Sequence, residues 1–225
     1  MGSLFLPYKT MSREAPFISI NYEDEQQLHS TEAALKTIKS KPSGNNLLLS
    51  LGYLSNQEKG LIIVVTNKRN TATSAYLTES QLAKYSVPND PDNPLYFKTT
   101  NRLATVDEKG KPSEGVPAII SFNPDLSLMV DKDGFPMEMP NNYFNYISLA
   151  HELVHAFHNM NGTSLNRDCI YEDVFKKDSG QRKEEERAVG LPPFHREAFS
   201  ENTIRAEQGM PLRKSYFFKD DQPAS

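Results

Sequence analysis

The chain has no tryptophan and only one cysteine, Cys169, in 225 residues. A single thiol cannot close an internal disulfide, which suits a reducing compartment. It is also a poor nucleophile candidate. Asp168, Glu172 and Asp173 surround it, and nearby anions raise a thiol's pKa. Long apolar runs are missing too. The longest, Leu61 to Val65, is far too short to cross a membrane. No apolar stretch near the start is long enough for a secretory signal. Gly2 follows Met1, but Leu6 and Pro7 argue against myristoylation. Positive charge is not in excess: the net charge of −4 leaves no basic footprint for nucleic acid. What is present is 12 Phe and 10 Tyr, enough to fill the core of one domain at this length.

Among five histidines, three fall in one stretch, NYFNYISLAHELVHAFHNMNG, from Asn142 to Gly162. His151, Glu152 and His155 spell H-E-x-x-H. On a helix, residues i and i+4 project from the same face. Two imidazoles so placed can grip one Zn²⁺ at about 2.0–2.1 Å each. The intervening glutamate can act as general base on the attacking water. A chance match would occur in roughly one chain in a hundred of this composition, so context matters. Asn141 or Asn142 can cap the helix start after Pro140, and Gly162 sits where a left-handed cap belongs. Phe144, Ile147, Ala150, Val154 and Phe157 form an apolar stripe beside the two histidines. The helix is therefore expected to be half buried, its histidine face turned to a cleft. His158 lies seven residues beyond His151, about 10 Å along the axis, too far to join the same ion. It is expected behind the ligands or on the surface.

Elsewhere the chain reads as mixed elements. Residues 1–20 lack a clear period and are expected to be a loose leader. A surface helix is predicted from Glu23 to Lys39, ended by Pro42 and Gly44, then a short helix from Leu47 to Leu54. Leu61–Val65 reads as a buried strand, with a second near Ser74–Thr78 and a short helix over Glu79–Tyr85. Residues 87–94 and 107–116 are loops; three prolines exclude a helix from the first. Pro117–Phe122, Leu126–Val130 and Phe135–Met139 are strand-like, the last two joined by a turn at Asp131–Gly134. A strand shortly before the H-E-x-x-H helix could offer an edge for an extended peptide, or form a plain hairpin covering the helix.

A catalytic zinc takes three protein ligands and leaves one position open. The third candidates are Glu172, Asp173, Glu184, Glu185, Glu186, His195, Glu197 and Glu201. Glu184–Glu186 lead into RAVGLPPF, a small apolar segment able to pack against the active-site helix. Glu185 is the expected ligand in a His₂Glu set. Glu184 or Glu186 would follow from a slightly different register, and His195 would make a His₃ site. Ser200 can cap a helix from Glu201 to Gln208, closed by Gly209. Arg213 and Tyr216 follow at R-x-x-Y spacing. Either could donate to the oxyanion that forms on the former carbonyl, an interaction worth a few kcal/mol. The alternative is that Tyr216, Phe217 and Phe218 anchor the C-terminal core.

Three segments in order, HELVHAFHNMNG, EEERAVGL and SENTIRAEQGMPLR, resemble the NleD-like type III secreted effector zinc metalloproteases. Relatives in plant pathogens are called HopH and XopG. The resemblance covers about residues 117–216. It maps H-E-x-x-H onto His151, Glu152 and His155, and E-x-x-A-V-G onto Glu185, Ala188, Val189 and Gly190. The order and spacing are also similar to the clostridial neurotoxin light chains. That likeness implies Glu201 orienting a histidine ligand, with Arg213 and Tyr216 stabilising the transition state. The resemblance further implies type III delivery into the host cytosol, with residues 1–20 as a possible secretion signal. Its implied substrates are host proteins, for animal-pathogen members stress MAP kinases cut in the activation loop.

The combined expectation is an α+β, zincin-like domain over residues 21–225. A small mixed sheet with an edge strand would stand over the H-E-x-x-H helix. One Zn²⁺ per chain is expected on His151, His155 and Glu185, with Glu152 as base. The chain is expected to be a monomer with no nucleic-acid partner and no membrane span. The competing classes are a zinc-containing binding module or pseudoenzyme that sequesters a host protein, and a metal hydrolase acting on a small amide.

Overall fold

A computed structural model of the chain describes residues 7–140, 143–166, 174–176 and 178–221. Among the described residues the fold is α+β, with a five-stranded mixed sheet, a separate β-hairpin and seven α-helices. The sheet order is β1 (Tyr8–Met11), β2 (Ile18–Tyr22), β3 (Leu61–Val65), β5 (Ala118–Phe122), β4 (Ala72–Ala75). β2, β3 and β5 run parallel, and the edge strands β1 and β4 run antiparallel to their neighbours. In the three central strands alternate residues are fully buried: Ile18 and Ile20, Leu61, Ile63 and Val65, Ala118, Ile120 and Phe122. Those side chains share one face of the pleat and join the core made by the helices.

Five helices precede or cross the sheet: α1 (Glu25–Lys39), α2 (Pro42–Ser55), α3 (Glu79–Tyr85), α4 (Pro94–Ala104) and α5 (Asn145–Met160). α1 begins where Asp24 accepts from the Gln27 amide, and α3 begins in a Thr78–Gln81 capping box. α5, which carries the H-E-x-x-H residues, touches β4, β5, α1, α2 and the later helix over Glu201–Glu207. It is buried nearly all round, Ile147, Leu149, Ala150, Leu153, Val154 and Ala156 being inaccessible, so it is the central helix and not a half-buried one. Gly162, just past its end, has φ +67°, and a Cβ there would collide with the Ser113 carbonyl. The chain turns sharply at that point, as only glycine does without strain.

Several expectations are corrected. Residues 8–20 are not loose: they carry β1 and most of β2, because Ile18 and Ile20 are core residues of the sheet. Residues 1–6 lie outside the described residues, as do the candidate caps Asn141 and Asn142. Pro42 does not merely end α1. It opens α2, where its missing N–H costs nothing and its fixed φ suits the first turn. The strand predicted near Ser74–Thr78 is β4, shifted toward the N-terminus. α4 was not predicted; Asn93 caps it and Pro94 occupies its first turn. The edge near the histidines is β4. The strand before α5 is split between β5, interior to the sheet, and the hairpin of β6 (Ser127–Val130) with β7 (Pro136–Met139).

Candidate metal centre

Three elements bring the site together. α5 presents His151 and His155. α6 (Gly180–Val189) begins where Ser179 Oγ accepts from the Arg182 amide and ends at Gly190 in the left-handed region. α7 (Glu201–Glu207) begins where Ser200 Oγ accepts from the Thr203 amide. Adjacent residues on a helix point about 100° apart, so α6 can aim Glu184 and Glu185 at different sides of the same histidine.

His151 Nε2 and His155 Nε2 lie 3.0 Å apart, and Glu185 Oε2 lies 3.2 Å from each. For a tetrahedral zinc with bonds of about 2.0–2.1 Å, neighbouring ligand atoms are about 3.3 Å apart. The three donor atoms have nearly that spacing. Their outer sides are also specified. His151 Nδ1 is 3.0 Å from Glu201 Oε2, and His155 Nδ1 is 3.2 Å from Glu184 Oε1. A carboxylate beside Nδ1 assigns the ring N–H to that nitrogen and leaves the Nε2 lone pair free. Two such lone pairs and a carboxylate oxygen facing one another repel unless a cation or a shared proton sits among them. This donor set fits a zinc ion on grounds of spacing and chemistry together.

The electrostatics follow the same logic. Burial alone would lower both imidazole pKa values. The anionic carboxylates outweigh it, so His151 is raised and His155 is raised well above the ordinary value. Burial pushes Glu184, Glu185 and Glu201 up, but the cations and N–H donors beside them pull all three well below the usual range. At Glu152 burial outweighs the pull of the two imidazoles, and its pKa is raised. The Thr73 hydroxyl, on β4, donates to the Glu152 backbone carbonyl at 3.0 Å and ties the sheet edge to the helix.

The site opens into a cleft of about 510 Å³. One wall is β4 and its approach, Asn70 to Thr73. The other is Leu126 to Leu128 of the hairpin side with Glu138, and α5 forms the floor with Glu152 exposed to the cavity. The C-terminal segment closes one end. Lys214 N–H donates to the Gly134 carbonyl at 2.9 Å and Lys219 pairs with Asp133 at 2.8 Å, lacing this segment to the β6–β7 turn. Phe217 is buried, stacked on Phe175 with ring centroids 5.0 Å apart, and the Arg182 guanidinium lies 4.9 Å from its ring. Tyr216 lines the cleft, as do Phe217 and Phe218, and burial together with the Glu185 charge raises its phenol pKa. Of the three aromatic residues Phe217 is buried, and Phe218 is 38% exposed.

The expected residues are distributed as follows. His151, His155 and Glu185 converge, Glu152 lines the cleft beside them, and Glu201 stands behind His151. Glu184 is not at the Nε2 triangle. It accepts from His155 Nδ1, from His158 Nδ1 at 2.6 Å and from the Leu165 amide at 2.9 Å. His158 is therefore buried behind the site, 2 % exposed. Glu186 pairs with Arg182 at 2.8 Å and Glu197 with Arg187 at 3.2 Å, and His195 is exposed and apart from the converging donors. Glu172, Asp173 and Cys169 fall outside the described residues. Each of the three nitrogens of Arg213 donates to a protein acceptor. Nη1 reaches Glu201 Oε2 at 2.8 Å, Nη2 the Tyr216 carbonyl at 2.6 Å and Nε the Ser215 carbonyl at 3.2 Å. A guanidinium so engaged holds Tyr216 and Glu201 in place, and Arg213 also lines the cleft. Arg205 is a site residue that sequence reasoning missed, because nothing within a few positions of it marks it as buried. It is fully buried against Glu201, 2.6 Å from Nε to Oε1.

Residues 15–216 match the profile of the family Peptidase_M91, described as an effector protein. No curated protein matches the chain. Among solved structures it is similar to the catalytic domain of Clostridium botulinum neurotoxin serotype F, at 19% identity and a TM-score of 0.39. That match covers 66% of this chain and 40% of the other. It is also similar to the botulinum neurotoxin type G light chain, at 16% identity and a TM-score of 0.37, covering 64% and 39%. The chain thus spans about two fifths of the length of these neurotoxin chains.

Proposed function

This chain belongs to the Peptidase_M91 effector protein family, and on that premise we propose that it is a zinc-dependent endopeptidase acting on a host protein. The observation that carries the reading is the triangle of His151 Nε2, His155 Nε2 and Glu185 Oε2, spaced for one tetrahedral ion and backed by carboxylates on both imidazoles. These three residues would hold the zinc. A zinc ion there supplies Lewis acidity toward the scissile carbonyl and toward water.

The chain's own residues do the rest. Glu152, its carboxylate raised in pKa by burial, accepts a proton from the attacking water and returns it to the amide nitrogen as the C–N bond breaks. Tyr216, held protonated by the same apolar and anionic surroundings, donates a hydrogen bond to the oxyanion of the former carbonyl. Arg213 fixes the backbone of Tyr216 and the carboxylate of Glu201.

The β4 edge supports an extended polypeptide as substrate. Tyr76 N–H donates to the Pro117 carbonyl toward β5. By the two-residue period of a strand, Thr73 and Ala75 turn their main-chain groups outward. A peptide laid there gains main-chain hydrogen bonds beside Glu152. The fold reading that accompanies this is a zincin-like one, with α5 as active-site helix and β4 as edge strand. The family description and the NleD-like resemblance support type III delivery, a host-cytosol setting and a MAP kinase activation loop as the first substrate to try.

The test pairs metal content with cleavage. Wild type should carry about one zinc per chain by elemental analysis, and Glu185→Ala much less. Glu152→Gln should keep the zinc while cleavage of host-lysate proteins falls by on the order of 10²–10⁴-fold. A wild-type chain that takes up no zinc when it is added back, or a Glu152→Gln variant that cuts at a near-normal rate, overturns the reading.

A further inference from the structure

Among the described residues Arg205 is the largest side chain that is wholly shielded from solvent. Its guanidinium makes two contacts that join distant parts of the chain. Nε donates to Glu201 Oε1 at 2.6 Å, one helical turn back on α7. Nη2 donates at 2.7 Å to the carbonyl of Leu128, on β6 in the cleft wall. Nη1 has no protein partner among the described residues. The other oxygen of Glu201, Oε2, is shared by His151 Nδ1 at 3.0 Å and Arg213 Nη1 at 2.8 Å.

Charge balance does not require this residue, because Arg213 already neutralises Glu201. Removing Arg205 alone would leave one oxygen of a buried carboxylate without its partner, a change that also lowers stability, so a stability control must separate the two effects. What Arg205 adds is geometry. The terminal torsion of a glutamate is soft, so a carboxylate held at one oxygen can swing about its last bond. Held at both oxygens it cannot. One planar edge of the guanidinium fixes Oε1 against the hairpin main chain, and Oε2 is thereby kept on His151. We propose that Arg205 is a positioning residue for the metal centre, locking Glu201 to the cleft wall so that His151 presents Nε2 at a fixed angle. The proposal rests on the zinc reading of the site.

The experiment measures Zn²⁺ affinity by competition with a chromophoric chelator and the visible spectrum of the Co²⁺-substituted protein. It compares wild type, Arg205→Lys, Arg205→Met and Ile18→Ala. Ile18 is a fully buried β2 residue with no part in the site and serves as the control for lost stability. Loss of a group that orients a metal-bound histidine lowers metal affinity about 10–100-fold. The expected result is a loss in that range for Arg205→Met and about tenfold for Arg205→Lys, which keeps the charge but not the planar fork. Both should carry an altered cobalt spectrum, and Ile18→Ala should melt earlier with wild-type affinity and spectrum. Wild-type affinity in Arg205→Lys overturns the proposal, and that variant decides if Arg205→Met does not fold. So does an equal loss in Ile18→Ala, which would make the effect one of stability. A wild-type chain that binds neither metal overturns the zinc reading itself, a separate and recognisable failure.

Discussion

Glu184 and Glu185 are neighbours in sequence with different work to do, and replacing each by alanine should separate two quantities. Glu185 contributes a donor atom to the metal triangle, whereas Glu184 is 4 % exposed and accepts three hydrogen bonds from His155, His158 and the Leu165 amide. In Glu184→Ala those three donors lose their acceptor. A buried donor left unpaired costs about 1–3 kcal/mol. Relief of carboxylate burial and entry of water from the cleft offset part of this, so the metal-free variant should be destabilised by about 2–4 kcal/mol. At about 2–4 °C per kcal/mol for a domain of this size, its melting temperature should fall by about 4–16 °C. Zinc affinity should drop about 10–100-fold, because His155 keeps its place on α5 but loses its orienting partner. Glu185→Ala should show the reverse pattern. It leaves the three hydrogen bonds of Glu184 intact but takes away one of the ion's three protein ligands, so its loss of zinc affinity should exceed that of Glu184→Ala and its loss of metal-free stability should be the smaller. Urea unfolding of the metal-free proteins and chelator competition for zinc measure the two effects independently. A Glu184→Ala protein as stable as wild type without metal, or one that loses zinc as completely as Glu185→Ala, would refute the assignment of the two carboxylates.

Tyr216→Phe should keep zinc content and KM near wild type and lower kcat by about 10²-fold, the scale for one oxyanion donor; an unchanged kcat removes Tyr216 from the chemistry. Away from the site, burial nudges the Glu114 carboxyl up, but hydrogen bonds from Lys84, Tyr85 and Gln81 hold its pKa at about 2. The unfolded state therefore binds the extra proton between the ordinary glutamate value and pH 2, and the contribution of Glu114 to stability is full above that window and lost as pH falls through it. Urea midpoints measured from pH 6 down to 3 should decline less steeply for Glu114→Gln than for wild type, and parallel curves would contradict this. Gly44→Ala should destabilise by about 1–3 kcal/mol, the cost of overpacking, because a Cβ there would run into the Ile38 carbonyl; a variant with an unchanged melting temperature would show that α1 and α2 can separate cheaply.

By itself the sequence determined whatever depends on short separations along the chain. H-E-x-x-H places two imidazoles one helical turn apart, and the apolar residues around it require that helix to be covered. Ser200 before Glu201 and Gly162 after α5 mark helix ends through hydrogen bonds and backbone angles local to a few residues. LIIVV over Leu61–Val65 reads as a central strand because both its faces must be apolar. Other elements were misread because tertiary burial overrode the local signal. Residues 8–20 show no period, yet Ile18 and Ile20 find their place only once β3 is beside them. Pro42 stops one helix and starts another, and which role dominates depends on whether the residues after it have a core to face. Tertiary structure alone decided the surroundings of the two imidazoles. Glu184 and Glu185 are equivalent in sequence, and only the angle at which α6 crosses α5 sends one to Nδ1 and the other to the Nε2 triangle. That Arg213 bonds Glu201 and two carbonyls is likewise invisible in its R-x-x-Y spacing. Arg205 reaches Leu128 across 77 positions. Local rules act through torsions and turns of a few residues. A metal centre is a convergence of side chains from separate elements, and its geometry exists only when packing has fixed those elements against one another.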